Sequence, residues 1–75
     1  MKIEKVEPVF LKMGEKDLIN LNNVNHIKMK KVLATDKGTD EITFVLAGSE
    51  PVSFAIKDCE AILTLVKVPY TLGTL

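Results

Sequence analysis

Apolar and polar side chains alternate over much of this chain, and glycine, proline and asparagine divide the alternation into strand-length pieces. The first piece spans residues 9–13, with Pro8 before it. Proline has no amide hydrogen, so this piece belongs at a sheet edge or a strand start. Gly14, Glu15, Lys16 and Asp17 then turn the chain into a second piece, residues 18–21. Asn22 and Asn23 predict a bend or bulge, because asparagine tolerates left-handed backbone and bonds its own main chain. From Val24 the alternation resumes, which points Ile27 and Met29 toward a core and His26, Lys28 and Lys30 away from it.

Residues 35–40 read as a polar loop. Beyond it Ile42, Phe44 and Leu46 share one face and Thr43 and Val45 the other. After a turn at residues 48–51, Val52, Phe54 and Ile56 repeat the pattern against Ser53 and Lys57, so residues 41–57 predict a hairpin. The period then lengthens. Cys59, Ile62, Leu63 and Val66 fall on one face of a short helix, with Asp58 as N-cap, Glu60 and Lys67 at the ends their charges favour, and Pro69 as the stop. A helix of about ten residues is marginal in water, so it must pack on the sheet. Residues 68–75 carry Val68, Tyr70, Leu72 and Leu75 and no charged side chain. Termini are commonly polar and frayed. This tail is therefore expected to fold over the sheet or pack on another chain, while residues 1–7 are expected to fray. The predicted fold class is α+β: an antiparallel β-meander of four to five strands, with a curled, barrel-like sheet as the variant, and one C-terminal helix packed on one face.

With 75 residues, the chain is expected to be one small domain over residues 1–75, and a domain of this size buries only about 60% of its unfolded surface. Small domains compensate with disulfides, metals or oligomers. The single cysteine, Cys59, excludes an internal disulfide framework, and the single histidine, His26, excludes the usual zinc cages. Self-association thereby gains weight. No apolar run reaches the roughly 18–20 residues of a membrane span, and Met1, Lys2, Ile3, Glu4 and Lys5 lack the apolar stretch of a signal peptide. A lone thiol in a lysine-rich, arginine-free chain is expected in the reducing cytoplasm, away from membranes.

Candidate chemistry is sparse. Cys59 sits where a helix dipole would lower a thiol pKa, yet it shares its face with Ile62, Leu63 and Val66 and reads as core. His26 stands on the outward face beside two lysines, with no ligands or nucleophile gathered near it. Ser49 and Ser53 lack a nucleophile elbow. Asp36, Asp40 and Glu41 bracket a loop without the EF-hand pattern, and no phosphate-binding glycine loop occurs. The chain is therefore expected to be no enzyme and to hold no cofactor and no metal.

Charge is uneven along a chain whose formal net charge is zero. Lys28, Lys30, Lys31 and Lys37 outweigh Asp36 in residues 26–37, whereas acids outnumber lysines in residues 38–75. A basic surface of His26, Lys28, Lys30 and Lys31 suits phosphate or the acidic side of a second copy. The lack of arginine and the few aromatics count against nucleic acid. Lysines of this kind also guard exposed sheet edges. The run of residues 19–27, followed by a hairpin and a short helix, resembles several small bacterial β-rich domains, such as FlbD-type flagellar proteins and LytTR-type DNA-binding domains. The likeness spans residues 18–67 in apolar spacing and asparagines. It brings over no functional residue, and the basic recognition loops of the LytTR type have no counterpart.

The expected function is a small non-enzymatic interaction or structural module. It would self-associate through a sheet edge or the C-terminal tail, with Val68, Tyr70, Leu72, Leu75, Val45 and Leu65 as candidate interface residues. The partner would be a second copy or another protein. The alternative is a lysine-based nucleic-acid-binding domain using residues 26–31.

Overall fold

The structure, a computed structural model, describes residues 2–33 and 38–74. Strands β1 (Ile3–Val6), β2 (Phe10–Met13) and β3 (Asp17–Asn20) form an antiparallel sheet with β2 in the middle. Strands β4 (Val24–Lys31), β5 (Asp40–Leu46), β6 (Val52–Ile56) and β7 (Tyr70–Thr74) form a second sheet in the order β6-β5-β4-β7. Its first three strands are antiparallel neighbours, whereas β7 runs parallel to β4.

This corrects the α+β expectation. The fold is mostly β, in two sheets, and the described residues contain no C-terminal helix. Where the helix was expected, Cys59–Thr64 forms a 3-10 turn. Its start follows the sequence reading: the Asp58 carboxylate caps it, accepting from the Glu60 amide at 3.1 Å. It does not propagate as an α-helix. The amides of Ala61 and Leu65 bond three residues back, to the carbonyls of Asp58 (3.3 Å) and Ile62 (2.9 Å), and the Thr64 hydroxyl donates to the Ala61 carbonyl at 2.8 Å. Helix nucleation is unfavourable for so short a segment, and three residues per turn place Cys59, Ile62 and Leu65 on one side. Cys59 and Ile62 are fully buried and Leu65 half-buried.

The chain splits into two sheets at a 3-10 turn, Leu21–Asn23. The Asn20 side chain caps it, accepting from the Asn22 amide at 3.0 Å. Backbone bonds then tie the turn to both sheets, from the Leu21 amide to the Val9 carbonyl (2.8 Å) and from the Ala47 amide to the Asn23 carbonyl (2.7 Å). Pro8 lies in the turn before β2, after a cis peptide bond, so it opens a central strand and not an edge strand. Residues 3–6, in the segment expected to fray, pair along their length with β2. Gly14 and Gly48 hold the β2–β3 and β5–β6 turns at φ of 73° and 74°, which an L side chain reaches only at a penalty.

The two sheets share one core. Leu11, Met13 and Ile19 enter it from the first sheet, and Ile27, Met29, Ile42, Phe44 and Ile56 from the second. Cys59, Ile62 and Val66 complete it. Burying each such side chain contributes about 1.5–3 kcal/mol. With its inner face committed to this core, the four-stranded sheet has an outer face and two edges left to meet solvent.

Candidate functional site

Strand register defines the outer face. Lys28 lies between Thr71 on β7 and Thr43 on β5, and Thr43 in turn pairs with Ser53 on β6, their hydroxyls 2.7 Å apart. Lys30 stands directly opposite Glu41, and His26 opposite Val45. The His26 ring reaches across to β7, with Nε2 2.6 Å from Thr71 Oγ1. Lys31 is set apart from these groups. Its side chain pairs with Glu60 at 2.5 Å, and that hydrogen bond raises the ammonium pKa. The four residues of the expected basic surface are therefore not one patch: His26, Lys28 and Lys30 share a face, and Lys31 leaves it. Nor do these lysines guard an edge, because β4 is flanked on both sides by β5 and β7.

Asp40, read from sequence as part of a solvated loop, is the one buried charged residue among those described. It opens β5 and accepts two backbone bonds, from the Cys59 amide (2.9 Å) and the Val32 amide (3.0 Å). The bond from Cys59 is the main reason its pKa lies below the ordinary 3.8. Nothing in the local sequence separates this aspartate from its exposed neighbours, since its partners are 8 and 19 residues away. Cys59 lies beside it, fully buried, and burial with the nearby carboxylate pushes the thiol up to about 11. A thiol so placed is almost wholly protonated at neutral pH. Folded protein should therefore resist iodoacetamide at pH 8 and react stoichiometrically in denaturant. Rapid labelling of the folded chain would contradict this geometry.

The described residues bring together no group of three metal-ligating side chains. Of the loop acids, Asp36 lies outside the described residues and Asp40 is engaged by backbone amides. A cleft of about 730 Å³ opens beside Asp40, between Leu33, Ile56 and Ile62, with Lys31 and Lys57 on its rim. Lys31 is held there by Glu60.

The residues of the expected interface divide in three. Val68 and Leu65 are half-buried and pack against the core. Val45 is half-buried on the outer face. Tyr70 and Leu72, 51% and 46% exposed, lie on β7, and Leu75 is outside the described residues. Tyr70 pairs with Ile27 and Leu72 with Met29, so both project toward the core side of the sheet, but at its rim. The Ile27 amide donates to the Pro69 carbonyl at 2.9 Å. In a parallel ladder this phase turns the amides and carbonyls of Thr71 and Gly73 toward β4. Those of Tyr70, Leu72 and Thr74 then face away from the sheet. No known protein family, curated protein or solved structure is significantly similar to the chain.

Proposed function

We propose that this chain is a non-enzymatic protein-interaction module that self-associates through β7. The observation that carries the reading is an edge strand that holds no charge and that no other described strand covers. Proteins commonly blunt exposed edges with charge, proline, bulges or a covering segment. The edge strands β1 and β3 carry charged residues, Glu4 and Lys5 on one and Asp17 on the other. β6 is uncharged, but Lys57 follows it directly and its large apolar side chains, Val52, Phe54 and Ile56, are buried or half-buried. β7 has no charge within it and leaves Tyr70 and Leu72 about half exposed. A small domain gains stability by covering such a strand.

Light scattering over a concentration series tests this. The mass of the wild-type chain should rise toward two copies, and Leu72→Lys should stay monomeric with an unchanged far-UV spectrum. A wild-type chain that remains monomeric into the millimolar range overturns the reading. So does a Leu72→Lys variant that associates equally well.

The nucleic-acid alternative has less support. Of the four residues it invokes, Lys31 is paired with Glu60, and Lys30 faces Glu41 across the ladder. Absence of oligonucleotide binding at low salt would remove it, since phosphate contacts are strongest there. A cytoplasmic setting suits the single buried thiol. No helix of the described residues is long and apolar enough to cross a membrane.

A further inference from the structure

We infer that the occupant of the β7 edge is the β7 strand of a second copy, antiparallel, with the two-fold axis passing beside Leu72. This inference rests on the self-association reading and fixes its geometry. Among the described residues, the backbone groups of β7 without a protein partner belong to Tyr70, Leu72 and Thr74, alternate residues along one edge. Water satisfies them in the monomer, and an extended strand is the protein segment that pairs with such a row. An isologous contact requires the strand to complement itself. Antiparallel pairing about Leu72 does this: Leu72 meets its own copy, Tyr70 meets Thr74 of the second copy, and Thr71 meets its Gly73. All three outward amides and carbonyls of each strand then find partners.

The side chains agree with this register. Tyr70 and Leu72 project to the same side of the sheet, so the axis joins Tyr70 and Leu72 of both copies into one apolar strip. No charge opposes the contact, because β7 carries none. Lys28 and Lys30 are kept apart from their counterparts by both β7 strands, three strand spacings or about 14 Å, which exceeds a Debye length of about 8 Å in physiological salt. The two four-stranded sheets become one sheet of eight strands. A five-residue edge is smaller than the ~800 Å² per partner of a standard interface, so the dimer should be weak and concentration-dependent.

Oxidative cross-linking reads the register. Leu72→Cys brings two thiols onto the axis at about 5.5 Å between Cα atoms, within disulfide range. Oxidised glutathione, which takes up the two electrons and two protons released, should convert most of this variant to a linked dimer at concentrations where the wild type associates. Thr71→Cys is the control. Its two copies are offset by two residues along the strand and lie beyond disulfide reach. The wild-type chain should give no linked dimer, because Cys59 is buried. A dimeric mass with no linkage at Leu72→Cys, or with equal linkage at Thr71→Cys, overturns the register and leaves self-association standing. Monomer at every concentration, with no linkage, overturns both. Masses growing past two copies overturn the closed two-fold contact.

Discussion

Phe44→Ala is expected to cost the protein a large share of its stability. Phe44 is fully buried on β5, a central strand of its sheet, opposite Ile27 on β4 and Val52 on β6. Its ring also meets Phe54 edge to face, with centroids 5.9 Å apart and planes at 72°. Truncating a core phenylalanine costs about 3–5 kcal/mol in lost transfer energy and cavity. Stability of about 0.05–0.15 kcal/mol per residue leaves a chain of this length only about 4–11 kcal/mol in total. Urea denaturation followed by circular dichroism should show the midpoint falling far below that of the wild type. Phe54→Ala, at a half-buried ring, should cost distinctly less. Equal losses at the two positions would mean that the core is not centred on β5.

Asp40→Ala should follow closely, and its effect should depend on pH. The carboxylate satisfies the amides of Val32 and Cys59, so it joins the end of β4, the start of β5 and the 3-10 turn. Leaving the buried Cys59 amide without an acceptor costs about 1–3 kcal/mol, and the part-buried Val32 amide adds less. Asp40→Asn keeps one acceptor oxygen and should lose less. The sign of the acid effect follows from the pKa. Asp40 titrates lower in the folded chain than its ordinary 3.8. Its contribution is therefore complete above that value and disappears as pH falls through the folded pKa. Denaturation midpoints of the wild type should decline below about pH 4 more steeply than those of Asp40→Asn. Parallel acid profiles would show that the carboxylate is not the tie described here.

How much of this was legible before folding depended on the range of the interactions. Alternation located β2, β3, β4 and the β5–β6 hairpin, because a strand with one buried face writes its period into the sequence. Ile27, Met29, Ile42 and Phe44 are buried as that period requires. Asp58 was readable as a cap because a cap acts within two or three residues. β1 was not readable: Ile3, Glu4, Lys5 and Val6 show no clean alternation, and pairing with β2 makes them a strand. The split into two sheets depends on a three-residue turn whose asparagines signal a bend but not its direction. The segment reads as a helix because Cys59 and Ile62, three residues apart, fit an α-helical and a 3-10 face alike, and period alone does not separate the two over six residues.

For the candidate site, the uncharged tail pointed to the right segment and the wrong conformation. Tyr70 and Leu72 carry the two-residue period of a strand, but parallel pairing with β4 needs a crossover of about a dozen residues. Residues 57–69 supply it, and only the assembled sheet reveals that β4 has a free side there. Lys31 shows the same limit. It looked equivalent to Lys28 and Lys30 until Glu60, 29 residues away, was brought to its ammonium.

Amide hydrogen exchange of β7, followed by NMR at two protein concentrations, tests the central claim most directly. In dilute protein the amides of Thr71 and Gly73, which face β4, should be protected, and those of Tyr70, Leu72 and Thr74 should exchange freely. At high concentration the second set should become protected as well, because a second copy supplies the missing carbonyls. A tail whose amides all exchange freely at both concentrations, or whose alternation never changes with concentration, would contradict the account of β7 as an open edge that a second copy closes.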